Sequence, residues 1–192
     1  MHSVFMAGSR SLSRLNLEVR ERIDNVVRQN FAILLGDANG ADKAFQRYLA
    51  TIGYRNVVIY CMDACRNNVA SWPVRNHTGA PGARHDRFYY GIKDVAMAKD
   101  ATCGYMLWDG ISKGTFSNVL ELIRREKKVL LYISPRKQFF TVGSFESLRQ
   151  ALCAAGISDT QSLLKVRGTV ADLKEPMQFG SGEAPSQEPR IR

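Results

Sequence analysis

Three short apolar runs constrain this chain more than any other feature. "FAILLG" (31–36), "NVVIYC" (56–61) and "VLLYIS" (129–134) are each six residues long and carry almost no charge or side-chain polarity. A strand with one wet face alternates polar and apolar residues. A continuous apolar run instead suits a strand buried on both faces, as in a parallel sheet covered by helices. "SVFMAGS" (3–9) and "ATCGYMLW" (101–108) read the same way.

Helical periodicity fills the intervals. Leu17, Ile23, Val26 and Val27 recur at helical spacing behind Asn16, a suitable N-cap. Ala41, Ala44, Phe45, Tyr48 and Leu49 mark one side of a helix over 40–52, which Gly53 stops. Helices are expected again over 85–99 and through "FSNVLELIRREKK". Alternating strands and helices make βαβ units with right-handed crossovers. The expected fold is α/β: a three-layer α/β/α Rossmann-like sandwich with a mainly parallel sheet of about five strands. "FFTVGSFESLRQALCAAG" (139–156) adds a short strand and a helix.

The 192 residues fit one domain, expected over 1–156, with a C-terminal extension over 157–171. Residues 172–192 are rich in Gly, Pro, Ser and Gln with few large apolar side chains, and a disordered tail is expected there. The segment 62–84 breaks the rhythm and is expected to be a long functional loop, either a lid or a partner-binding element. No apolar window is long enough for a membrane span, and "MHSVFMAGSR" has no signal-peptide pattern. A cytoplasmic location without a membrane partner is the expectation.

Cys61, Cys103 and Cys153 lie in apolar runs and are expected to be small buried hydrophobes. Cys61 and Cys65 with His77 and His85 match no standard zinc spacing, so no metal is expected. Lys plus Arg number 27 against 18 Asp plus Glu, a formal net charge of +9. That balance favours anionic partners without choosing among nucleotides, nucleic acids and acidic proteins. The basic residues are scattered, and no basic stripe interleaved with aromatics stands out.

In open parallel sheets, ligands bind beyond the carboxyl ends of the strands where strand order reverses. Three stretches fall there. "AGSR" follows the first strand: Gly8 allows a tight turn, Ser9 offers a hydroxyl, and Arg10 can reach an anion; equally, it can be a plain turn with an exposed Arg. "GDANGAD" follows the second. Gly36 and Gly40 allow close approach, while Asp37 and Asp42 suit ribose hydroxyls or base N–H groups better than phosphate. Helix capping by Asn39 and Asp42 is the alternative there. "DGISKGTFSN" follows the strand over 101–108. It sets Asp109, Gly110, Ser112, Lys113, Gly114, Thr115 and Asn118 at the start of a helix, a good anion site. It is not a Walker A loop, and no G-x-G-x-x-G fingerprint supports a dehydrogenase. "RHDRFYYGIKD" (84–94) is a further candidate, with cationic Arg84, Arg87 and Lys93 and stackable Phe88, Tyr89 and Tyr90. It reads equally as an amphipathic helix with an aromatic inner face.

Taken in order, "GSR", "GDANGAD" and "DGISKGT" resemble the SLOG superfamily, the Rossmann-like group of the LOG phosphoribohydrolases and the DNA-processing protein DprA. The pattern is most similar to its small stand-alone YspA-like bacterial branch, over residues 3–134. The resemblance implies a nucleotide or nucleotide-derived ligand over the strand ends. Gly8, Ser9 and Arg10 would line one side, and Gly36, Asp37, Gly40, Ala41 and Asp42 the other. Gly114 and Thr115 would hold phosphate. It also implies a homodimer. LOG enzymes share a Pro-Gly-Gly-x-Gly-Thr-x-x-Glu stretch whose Glu takes part in N-glycosidic cleavage; Asn118 holds that position here. An amide is no carboxylate base. Asp37, Asp109 and Glu121 are the remaining catalytic candidates.

The sequence therefore reads first as a nucleotide sensor or binding module that requires no cofactor beyond its nucleotide ligand. Two alternatives remain. One is an N-glycosidase, phosphoribohydrolase or deoxyribosyltransferase-like enzyme. The other is a DprA-like binder of single-stranded DNA.

Overall fold

The computed structural model describes residues 2–157 except 81 and 83, with residue 87 described by its backbone. Beyond residue 157, the expected extension and tail lie outside the described residues.

The chain forms β1 (Ser3–Gly8), α1 (Leu17–Arg28), β2 (Ala32–Gly36), α2 (Ala41–Thr51), β3 (Val57–Met62) and β4 (Val74–His77). It continues through α3 (Arg87–Asp100), β5 (Cys103–Trp108), α4 (Lys113–Arg124), β6 (Val129–Ile133), β7 (Gln138–Val142) and α5 (Phe145–Ala154). One sheet takes the order β4-β3-β2-β1-β5-β6-β7. All neighbours run parallel except β7, which returns antiparallel to β6 through a 3-10 turn at Ser134–Arg136.

The five strands expected from the apolar runs are present, and the sheet has seven. The extra members are its edges. β4 lies inside the segment read as a loop; its "VRNH" sequence has one apolar residue and stays largely solvated. An edge strand needs no apolar pattern, because hydrogen bonds to one neighbour hold it.

Alternate side chains of the strands other than β4 enter opposite cores. Phe5 and Ala7 join Met106, Trp108, Leu131 and Ile133 in the layer beneath α3, α4 and α5. Val4 and Met6 join Ile33, Leu35 and Ile59 beneath α1 and α2, against Val19, Ile23, Phe45 and Leu49. The helix over 17–28 starts as expected, with the Asn16 side chain accepting from the Val19 N–H at 2.9 Å. Leu17 does not join the buried face: as the first helical residue it is 71% exposed.

The cysteines differ from expectation. Cys61 is buried, and a disulfide joins it to Cys65. Cys103 is half-buried. Cys153 is exposed, because Leu148, Ala151, Leu152 and Ala155 occupy the inner side of α5 and position 153 turns away from it. Among the described residues, no helix is long and apolar enough to cross a membrane.

β1 and β5 are neighbours, yet the chain leaves β1 toward β2 and reaches β5 only after α3. Strand order reverses between them. The carboxyl ends of β1, β2 and β5 meet at one rim, and α2, α3 and α4 begin there.

Candidate functional site

Ser9 ties the rim together. It is fully buried, and its hydroxyl is engaged within the protein. Its Oγ accepts from the Asp109 N–H at 3.1 Å and lies 3.3 Å from Thr115 Oγ1. Its carbonyl accepts from the Ala41 N–H at 3.3 Å. One residue thus connects the ends of β1 and β5 with the starts of α2 and α4.

The start of α4 carries the clearest anion-binding geometry. Ser112 is the N-cap, accepting from the Thr115 N–H at 3.4 Å. Asp109 organises the loop before it. Its Oδ1 accepts from the N–H groups of Ile111 at 3.1 Å and Ser112 at 2.8 Å, and Ser11 donates to Oδ2 at 2.6 Å. Burial pushes the Asp109 carboxyl up, but these donors outweigh it and hold it below the usual carboxylate range. The N–H groups of Lys113 and Gly114 take no partner among the described residues. They lie in the first turn, at the positive end of the helix dipole.

The start of α2 is built differently from a side-chain cap. Gly40 is the N-cap, with φ +84°, and no side chain caps the helix. A Cβ there would lie 2.3 Å from the Arg10 carbonyl oxygen, so the turn demands glycine. Asn39 instead accepts from Asn67 Nδ2 at 3.2 Å, and Asp42 accepts from the Ala38 N–H at 3.3 Å.

The two aspartates of "GDANGAD" are held by cations of the protein. Asp37 is buried; its Oδ1 pairs with Arg66 Nη2 at 2.6 Å, and its Oδ2 accepts from Arg66 Nε and N, each at 3.0 Å. Lys93 Nζ stands 3.8 Å from Oδ1. Burial raises the Asp37 pKa, but the Arg66 donors and Lys93 together bring it below its ordinary value. Lys93 is itself buried, with Asp94 at 2.8 Å. Burial opposes its charge, and Asp94 and Asp42 restore it, leaving its pKa raised. Asp42 has the weakest support. Burial, opposed by Lys93 and aided by repulsion from Asp94 and Asp37, pushes it up to about 6. Gly36 lies under this cluster: a Cβ there would meet Asp42 Oδ2 at 2.4 Å and Lys93 Nζ at 2.8 Å.

Arg66 belongs to the segment after the disulfide, and its guanidinium lies over the Tyr90 ring at 4.4 Å. Buried Gln46 fixes that segment, donating to the Gly36 and Asn67 carbonyls at 2.9 and 3.2 Å and accepting from the Val69 N–H at 3.1 Å. The segment 62–84 is therefore an anchored wall up to Val69 and carries an edge strand at 74–77.

Together these elements enclose a cavity of about 560 Å³ over the β1–β5 junction. Of the residues singled out from the sequence, Gly8, Arg10, Asp42, Tyr90, Lys93, Asp109, Ser112, Gly114, Thr115 and Asn118 line it. Ser9, Gly36, Asp37, Gly40 and Ala41 support it from behind, and Gly110 and Lys113 stand beside it. Arg84 and Glu121 line a neighbouring gap, where Glu121 pairs with Arg125 at 2.7 Å. Arg87 is the first residue of α3. Arg66 and Asp94 line the cavity without having been singled out. Their roles depend on partners distant in sequence, and no local pattern marks them.

No protein-family model matches the chain, and no curated protein sequence matches it. Its fold is similar to that of DNA processing protein A from Helicobacter pylori, whose structure was described for its single-stranded DNA binding mode. The two share 11% identity with a TM-score of 0.54, over 85% of this chain and 79% of the other. The likeness is one of fold.

Proposed function

We propose that this chain is a nucleotide-binding module, with a phosphate of the ligand seated at the start of α4. The observation that carries the reading is the pair of unpartnered N–H groups at Lys113 and Gly114. They flank a cavity at the reversal of strand order that Gly114, Ser112, Thr115 and Arg10 line. Backbone donors, a helix dipole and a nearby guanidinium are the ingredients of a phosphate site. The cavity volume of about 560 Å³ suits a nucleotide-sized ligand.

Binding without turnover is the better-supported form of this reading. Asp37 is neutralised by Arg66, Asp109 is occupied by loop donors, and Glu121 is paired with Arg125 beside the cavity. None is poised as a general base. Asn118 supplies an amide where a carboxylate would be needed.

The test is a nucleotide panel titrated against wild type and Gly114→Asp, followed by mass spectrometry of the recovered ligand. Saturable wild-type binding, loss in the variant and an unchanged ligand are expected. Free base plus sugar phosphate would make the protein an N-glycosidase; no binding of any nucleotide would end the reading.

Fold likeness to a protein described for binding single-stranded DNA, together with the +9 charge, favours a second reading as a DNA binder. Oligonucleotide binding with a steep salt dependence and no mononucleotide affinity would select it.

A further inference from the structure

Beside the rim cavity, a second cavity of about 610 Å³ opens between α3 and α4. The two share Asp86, Gly91, Asp94, Gly114 and Asn118 along their common border, so they form one continuous trough. Its two ends differ in chemistry. The rim end has the α4 amides, hydroxyls and Arg10. The far end is walled by Phe88, Ile92 and Val95, one helical face of α3, exposed to 46%, 40% and 43%.

Two features of this gap bear on what it could hold. Gly91 sits inside α3, and a Cβ added there would meet nothing within 4 Å. Glycine is the poorest helix former apart from proline, and neither packing nor backbone angle requires it here. What it leaves is clearance. The second observation is Asn118 on α4. It is only 8% exposed, it lines both cavities, and its carboxamide takes no hydrogen bond among the described residues. The described side-chain atom that is wholly buried and unpartnered is His77 Nε2, so the Asn118 amide reaches the trough. A carboxamide that reaches the trough with a free donor and a free acceptor matches the edge of a heterocyclic base.

We infer that the α3–α4 gap is a base-binding subsite: the heterocycle of a nucleotide lies against Phe88 and Ile92 with its edge toward Asn118. This rests on the phosphate reading at α4 and adds where the base goes.

Calorimetric titration compares ribose 5-phosphate with the common ribonucleoside 5′-monophosphates, on wild type and on Ile92→Trp, which fills the gap away from the rim. Wild type should bind at least one nucleotide ten-fold or more tighter than ribose 5-phosphate. Ile92→Trp should reduce that nucleotide to the level of ribose 5-phosphate, whose own affinity holds. A photoreactive 8-azidoadenine nucleotide should label α3 in the wild-type protein, which covers the case of a variant that fails to fold. Gly91→Ala should raise the unliganded thermal midpoint. Equal affinity for sugar phosphate and nucleotide, or labelling away from α3 and α4, would overturn the subsite and leave the phosphate reading standing. Absence of all phosphate binding would overturn both.

Discussion

Asp42 is the rim carboxylate whose charge is least secure. Its folded pKa of about 6 lies above its ordinary value of 3.8, so between those pH values the folded protein holds a proton that the unfolded chain has released. Stability from this group is therefore full below about pH 4 and is lost as pH rises through 6. Asp42→Asn removes the loss and is expected to stabilise the protein at pH 7 by on the order of 2 kcal/mol. Thermal midpoints of both proteins from pH 4 to 7.5 check this, the gap between them widening with pH. Asp37 and Asp109 titrate with the opposite sign: their lowered pKa values add stability that disappears as pH falls below the ordinary carboxylate range. Arg66→Met leaves Asp37 buried with Lys93 at 3.8 Å. A cost of about 2 kcal/mol by urea unfolding is expected, below that of a fully buried pair because Arg66 is partly solvated. The residues that contact the cavity were legible where glycine, hydroxyl and helix start coincide in sequence. Arg66 was not, since its partner lies 29 positions away and the pairing exists only once β2 and β3 are side by side.

The starts of α2 and α4 meet at one rim but tolerate change differently. At α2, Gly40→Ala forces a Cβ against the Arg10 backbone at a φ of +84°. A loss of about 3 kcal/mol is expected in denaturant unfolding, with the rim disturbed. At α4, Ser112→Ala removes the cap; about 1 kcal/mol of stability should go, and phosphate affinity with it. The strands divide in the same way. β1, β2, β3, β5 and β6 were readable because burial on both faces demands continuous apolar residues. β4 was not: an edge strand with one apolar residue looks like loop. Cys153 misled because an apolar neighbourhood in sequence does not say which side of α5 a residue occupies.

Across the whole molecule, the sheet order brings together loops that lie about 100 residues apart, as the Ser9–Thr115 and Ser11–Asp109 contacts show. The net charge of +9 favours anions of any kind, so charge alone does not distinguish a mononucleotide from a DNA strand. Under the proposed reading the start of α4 does, because a single phosphate would sit there at a fixed point. The most direct measurement is a two-dimensional amide NMR titration with a nucleoside 5′-monophosphate. The Lys113 and Gly114 amide resonances are expected to move first and furthest, saturably, with the ligand intact at the end. Binding that leaves those two amides unmoved, or no binding at all, would contradict the phosphate reading.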